Sequence, residues 1–135
     1  MSYVTYDDFK KMDMRVGLIR FVEPVEGTDK LLRFEIDFGS VESQAEPAEA
    51  EEKNFPFGKE EYAGRDIRQV VSGIRESFPE FKNLEGKYGL YILNLEPREI
   101  RGVTSYGMLM AVDGTDGNPV FLGPQGEIDP GSKIR

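Results

Sequence analysis

The chain of 135 residues contains no cysteine and no histidine. Without cysteine it can form neither a disulfide nor a thiolate site. Without histidine it lacks the commonest metal ligand and the usual general base near neutral pH. Its neighbouring carboxylates, Asp7-Asp8 and Glu60-Glu61, do not aim at one centre on a helix or strand. The composition therefore predicts that the chain is not an enzyme and holds neither a metal nor a cofactor.

Long apolar runs are also missing from the chain. None is long enough to span a bilayer, and the N-terminal stretch MSYVTYDDFKKM lacks the apolar core of a signal peptide. We therefore expect a cytoplasmic protein with no membrane association. A length of 135 residues is typical of a single domain and is sufficient to bury one core.

Positive charge is scarce, because 17 Lys and Arg stand against 25 Asp and Glu and leave a net charge of −8. The acid is concentrated between Glu42 and Glu61, where seven glutamates face two lysines. From Ile67 to Val112 the chain is nearly neutral, with six basic residues and five glutamates. A run rich in Ala, Glu and Pro is typical of a solvated loop. The sequence therefore predicts an acidic, flexible insertion at about residues 41–64.

Hydrophobic alternation indicates a mostly β protein. Leu31 to Phe38 places apolar side chains on one face and charged ones on the other, which is the pattern of a half-buried strand. Thr5 is a candidate N-cap for a helical turn at Tyr6–Lys11, and a short helix is expected at 78–84, starting near Pro79. The predicted strands cover residues 14–22, 31–38, 66–73, 88–95, 106–112 and 120–122.

This element order predicts an all-β OB-fold. In that fold a five-stranded Greek-key barrel carries a short helix between strands 3 and 4, and it often binds oligonucleotides. Residues 113–135 would form an extension beyond the barrel. The sequence therefore predicts one domain over residues 1–135, with an acidic insertion and a C-terminal extension.

Two stretches of the sequence resemble one known family. They read QVVSGIRESFPEFKNLEGKYGLYILNLEPREIRGVTSYGMLMAV from Gln69 to Val112 and VEGTDKLLRFEIDFG from Val25 to Gly39. Both are similar to the tRNA-binding domain at the C-terminus of many methionyl-tRNA synthetases. The same domain occurs as a free-standing bacterial tRNA-binding protein and in the secretion chaperone CsaA.

The resemblance implies a tRNA-binding module with the OB-fold, which forms a homodimer and acts in trans to an aminoacyl-tRNA synthetase. An alternative is a CsaA-like chaperone that binds unfolded polypeptide for export. A third interpretation is a scaffold whose acidic insertion docks a basic partner.

The strongest candidate site is the loop from Asn94 to Gly102, which links two predicted strands. Arg98 and Arg101 could contact phosphates, and Asn94 offers both a donor and an acceptor. In OB-folds this loop is one of the two that contact ligands. The resemblance to the family pattern Asn-Leu-x-Pro-Arg-x-x-Arg-Gly implies the same role, although Glu99 stands where relatives commonly have lysine. The alternative is a solvated basic loop.

Six further residues complete the predicted RNA-binding surface. Lys30 and Arg33 flank the start of the second strand, although Arg33 could instead pair with Glu35 or Asp37. At the end of the third strand lie Ser72 and Arg75, whose guanidinium could reach a phosphate or cap the nearby helix. By resemblance, Ser105 and Met108 lie on the RNA side, although Met108 could equally be a core residue. These six are Lys30, Arg33, Ser72, Arg75, Ser105 and Met108.

Overall fold

The structure is a computed structural model, and it describes residues 2–42 and 60–135. Over these two ranges the chain forms one short α-helix, α1 (Tyr6–Lys10), three 3₁₀ turns and eight strands. The strands are β1 (Met14–Pro24), β2 (Leu32–Ser40), β3 (Arg65–Ser72), β4 (Tyr88–Ile92), β5 (Arg98–Ile100), β6 (Val103–Ser105), β7 (Met108–Asp113) and β8 (Pro119–Phe121). The 3₁₀ turns are Glu60–Tyr62, Arg75–Ser77 and Phe81–Leu84.

Six antiparallel strands form one sheet in the order β3-β2-β1-β4-β7-β8, and β5 and β6 form a separate hairpin. The long strand β1 pairs through its first half with β4 and through its second half with β2. The chain after β6 closes the barrel against β3, because the Tyr106 amide donates to the Gln69 carbonyl at 2.9 Å. The predicted OB-fold barrel is thereby confirmed, with β1, β2, β3, β4 and β7 as its five strands.

The core of the barrel follows from the alternation in β2. Phe34, Ile36 and Phe38 are fully buried and pack with apolar residues of β1, β3 and β4. Gly17 and Gly89 lie opposite each other in the β1–β4 pair. A Cβ at Gly17 would collide with Ile36 and Phe38, and one at Gly89 would meet the Tyr91 ring. The two glycines therefore make room for the large side chains at this end of the barrel.

The C-terminal residues pair with the first half of β1. Ser132 accepts a hydrogen bond from the Val16 amide at 2.9 Å, and the Ile134 amide donates to the Met14 carbonyl at 2.8 Å. Where this tail crosses the end of β2, Gly39 and Gly131 both have positive φ, 96° and 90°. A Cβ on either would run into the backbone of the other segment. The C-terminal extension therefore adds a short hydrogen-bonded segment beside the first half of β1.

Several details differ from the expectations. Residues 94–102 were predicted as a loop, yet part of them forms β5 and the hairpin with β6. The expected helix at 78–84 is a four-residue 3₁₀ turn, Phe81–Leu84, and its N-cap residue Glu80 makes no side-chain capping bond that would favour an α-helix. At the N-terminus, the predicted cap is confirmed: Thr5 and Asp8 form a reciprocal capping box. The predicted flexible insertion lies largely outside the described residues.

No helix in the parts of the chain that the structure describes combines the length and the apolar character needed to cross a membrane.

Candidate nucleic-acid interface

The β5–β6 hairpin presents two arginines. Its turn consists of Arg101 and Gly102, whose φ angles are 54° and 82°. Two successive positive φ values are the arrangement of a type I′ turn, which matches the twist of a hairpin and favours Asn-Gly. Arg101 is the only non-glycine residue with positive φ among the described residues. Arg98 lies opposite Ser105 at the base of the hairpin, and both arginines are exposed.

The segment that joins β1 and β2 lies against the turn that follows β3. The Arg75 amide donates to the Lys30 carbonyl at 3.1 Å, and the Arg75 guanidinium donates to the Thr28 carbonyl at 2.9 Å. Ser72 ends β3 opposite Leu32. The structure thus brings Lys30, Ser72 and Arg75 together at the end of the barrel where β3 finishes.

The hairpin leaves the barrel at this same end. The Ser105 hydroxyl accepts from the Val71 amide at 2.9 Å, and Gln69 Nε2 donates to the Thr104 carbonyl at 2.8 Å. Both contacts attach β6 to the last residues of β3. Among the described residues, no ion pair links Lys30, Arg75, Arg98 or Arg101 to a carboxylate. These four cations are called the end cations below.

Arg33 lies on the outward face of the barrel, where its guanidinium has acidic and polar partners. Nε donates to Glu23 at 2.7 Å, one Nη to Glu35 at 2.7 Å and the other to Gln69 at 3.1 Å. Burial acts to lower the pKa of Arg33, but the hydrogen bonds to Glu35 and Glu23 outweigh it and raise the pKa overall. The predicted alternative, pairing of Arg33 with Glu35, is present, and its contact with RNA stays a prediction.

Asn94 is bonded through its side chain to the segment between α1 and β1. Its Oδ1 accepts from the Asp13 amide at 2.8 Å, and its Nδ2 donates to the Lys11 carbonyl at 2.6 Å. The side chain therefore fixes the start of the loop to the segment before β1. Any contact of Asn94 with RNA would have to compete with these two bonds.

Ser105 and Met108 differ in exposure. Ser105 is buried, and its hydroxyl donates to the Gly107 carbonyl while it accepts from Val71. Met108 is 46% exposed, and its neighbour Leu109 is the residue that packs against the core. The alternative of a core methionine therefore does not hold.

Tyr62 is a residue that the sequence did not single out. It is 5% exposed, and its hydroxyl donates to Glu35 Oε1 at 2.7 Å. Burial, followed by the hydrogen bond to Glu35, raises the pKa of Tyr62, so the phenol remains a donor at neutral pH. Gln69 was also overlooked, although it joins Arg33 to the hairpin. Neither residue has a local sequence signal, because their partners lie far away along the chain.

Within residues 2–42 and 60–135, no group of three or more Asp, Glu, His or Cys side chains could hold a metal ion.

Comparison with known proteins gives consistent results. The profile of the tRNA-binding domain family matches residues 57–133. A methionine–tRNA ligase from Methanosarcina acetivorans is 39% identical over all 135 residues, and the chain spans 15% of the length of that ligase. The crystal structure of a MetRS-related protein from Pyrococcus horikoshii is 27% identical, with a TM-score of 0.73 and full coverage of both chains.

The chaperone CsaA from Bacillus anthracis shares the fold, with a TM-score of 0.71, 21% identity, and coverage of 99% of this chain and 100% of CsaA. The profile match covers more than half of the chain. It includes the end of β3, the hairpin and the C-terminal tail, which together carry most of the residues described above. The chain therefore belongs to the tRNA-binding domain family.

Proposed function

We propose that this chain binds folded tRNA at the end of its barrel, without catalysing a reaction, and acts in trans to a methionyl-tRNA synthetase. The observation that carries the proposal is the group of end cations. Elsewhere on the barrel, cations such as Arg20, Arg33 and Arg65 are paired with carboxylates. The end cations retain their charge for phosphates, which supply most of the affinity of proteins for nucleic acids.

The shape of this end also suits folded RNA. OB-folds bind oligonucleotides through the loops that correspond here to residues 25–31 and 93–107. Lys30 and Arg75 belong to one side of this site, and the β5–β6 hairpin to the other. The exposed Met108 adds a soft apolar surface beside the hairpin.

Because the chain resembles part of a methionine–tRNA ligase, a synthetase of that class is the proposed partner. We also propose that residues 1–135 form one domain, since one sheet contains strands from both ends of the chain.

The function is tested by an anisotropy titration of labelled, unfractionated tRNA at low and moderate salt. We expect a Kd in the micromolar range or below that rises with salt, because phosphate contacts release counterions. An unfolded polypeptide serves as a competitor. It should leave the titration unchanged. No binding of tRNA at low salt would contradict the proposal.

A chaperone of the CsaA type is the second candidate. The observation in its favour is a set of exposed apolar side chains on β7, on β8 and just beyond β8: Met108, Val112, Val120 and Leu122. Exposed apolar groups of this kind can hold unfolded segments. Binding of the unfolded competitor together with absence of tRNA binding would favour this candidate.

We further propose that the chain forms a homodimer through its N-terminal segment. Helix α1 has only five residues and buries none of its side chains, although its N-terminus is fully capped. A helix this short is not stable on its own in water. Tyr3, Val4 and Tyr6 are between 71% and 90% exposed. A second copy that covers these side chains would account for the ordered helix.

The dimer is tested by sedimentation equilibrium. We expect a mass of twice the 15.3 kDa of one chain. In the variant Tyr3→Glu/Tyr6→Glu, we expect the mass of a single chain, because a charge in an apolar interface disfavours association. Glu127→Gln, an exposed substitution in the C-terminal extension, is the control and should remain dimeric. A monomeric wild type would contradict the proposal.

A further inference from the structure

The outward face of β2 and β3 is covered by the chain itself. Glu35 lies opposite Gln69 on this face, whereas the next pair, Phe34 and Val70, points into the core. Outward carboxylates on a small barrel are normally solvated. Here Glu35 is 2% exposed and Asp37 is fully buried.

The cover is the 3₁₀ turn Glu60–Tyr62, which lies just before β3. Tyr62 is buried against this face and donates its hydroxyl to Glu35. Next to it, Asp37 accepts from Arg20 and from Arg65, the first residue of β3. The Val41 amide donates to the Gly64 carbonyl at 2.9 Å, so the chain that follows Tyr62 is tied to the end of β2.

Tyr62 lies on a surface where RNA bases would bind. In OB-folds the face of strands 2 and 3 is part of the ligand surface, and bases stack there on flat side chains. A tyrosine ring has the dimensions and the π-face of a base, and its hydroxyl uses the Glu35 carboxylate that could otherwise accept from a base or a ribose. Glu60 and Glu61 are exposed beside it and carry negative charge where a phosphate would approach.

We propose that Glu60–Tyr62 is a built-in occupant of the RNA face, which competes with RNA for the outward surface of β2 and β3. The end cations then form the part of the site that is always open. RNA contacts the outward face of β2 and β3 only when the Tyr62 side chain moves away from Glu35. This inference rests on the proposed tRNA-binding function and adds to it an internal competitor that sets the affinity.

The test compares tRNA binding by the wild type and by Tyr62→Ala and Tyr62→Phe. If the face is open for about a tenth to a third of the time, the alanine variant should bind about three- to tenfold more tightly. The phenylalanine variant keeps the ring but loses the bond to Glu35, and it should lie between the other two. Tyr88→Ala, at the start of β4, is the control for loss of a half-buried tyrosine and should not tighten binding.

The outcomes separate the two proposals. If a folded Tyr62→Ala variant binds tRNA with the same Kd as the wild type, or more weakly, the internal competitor is overturned. The tRNA-binding function then remains intact. Absence of binding by every variant would overturn both. Binding by Tyr62→Ala alone would support both.

If Tyr62→Ala does not fold, a second measurement tests whether tRNA displaces the segment Glu60–Tyr62. Because the chain has no cysteine, Glu61→Cys carries a single thiol for a fluorescent label. We expect its emission to change on addition of tRNA, with the same midpoint as binding, because the segment is displaced. A label at Gln125→Cys, in the C-terminal extension, should not respond. Unchanged emission at position 61 under saturating tRNA would overturn the proposal.

Discussion

Substitution of Arg98 by alanine and Arg101 by asparagine should weaken tRNA binding at least about tenfold. Each arginine that contacts a phosphate contributes about one unit to the slope of log Kd against log salt. The double variant should therefore lose about two units of this slope. The measurement is the same anisotropy titration, repeated at several salt concentrations.

The same variant should fold at least as well as the wild type. Arg101 has a φ of 54°, where asparagine is tolerated better than residues with long side chains. We expect the free energy of unfolding to stay within about 1 kcal/mol of the wild type or to rise. Loss of binding without loss of stability would identify Arg101 as a residue that serves binding at some conformational cost.

The matched control is Lys87→Ala. Lys87 is exposed just before β4, at the opposite end of that strand from the loop that contains the hairpin. Its removal lowers the net charge without touching the end cations, and we expect less than about a twofold change in Kd. The control removes one positive charge and the double variant two, so a loss in log Kd half as large in the control would show that binding reflects total charge and has no site on the hairpin.

Replacement of Asp37 by asparagine should destabilise the fold by about 3 kcal/mol. Asp37 is fully buried, and its Oδ2 accepts from Arg20 at 2.6 Å and from Arg65 at 2.7 Å. Asparagine would retain the acceptor that binds the Gly39 amide. However, it would turn an N–H donor toward two guanidinium groups, or give up the Gly39 bond instead. The first choice takes the shared acceptor from two partly exposed guanidinium groups, and the second leaves the buried Gly39 amide without one.

Urea denaturation provides the measurement. Glu23→Gln is the control, since Glu23 also binds an arginine but its side chain is 44% exposed. An exposed pair contributes less than about 1 kcal/mol, so this variant should unfold close to the wild type. If both variants lost the same stability, the buried charge network would contribute no more than a surface pair.

The barrel was predictable because its signals are local. The alternation of Phe34, Ile36 and Phe38 marks β2, and Thr5 with Asp8 marks the start of α1. The short strands β5 and β6 were missed because three residues are too few to show alternation, and because Arg-Gly is an uncommon pair for a type I′ turn. The conformational signature of this turn is visible only in the φ angles.

The site was predictable only in part, for a related reason. Lys30, Arg98 and Arg101 are exposed, whereas Arg75 is half-buried and its guanidinium donates to the Thr28 carbonyl. The side chains of Asn94 and Ser105 have partners that are distant in sequence, such as Lys11 and Val71 respectively. No local pattern shows such pairing. Tyr62 was hidden for the same reason, within a stretch whose composition indicates only a solvated loop.

The split pairing of β1 has a consequence for the synthesis of the protein. Met14 at its beginning pairs with Ile92, while Pro24 at its end pairs with Leu32. During translation, β1 and β2 can pair early, but the first half of β1 must wait for β4 and then for the C-terminal tail. Such distant pairings slow folding. The nascent chain therefore carries a partly unpaired strand until residues 131–134 have been synthesised, and before that point the open edge can pair with a second chain.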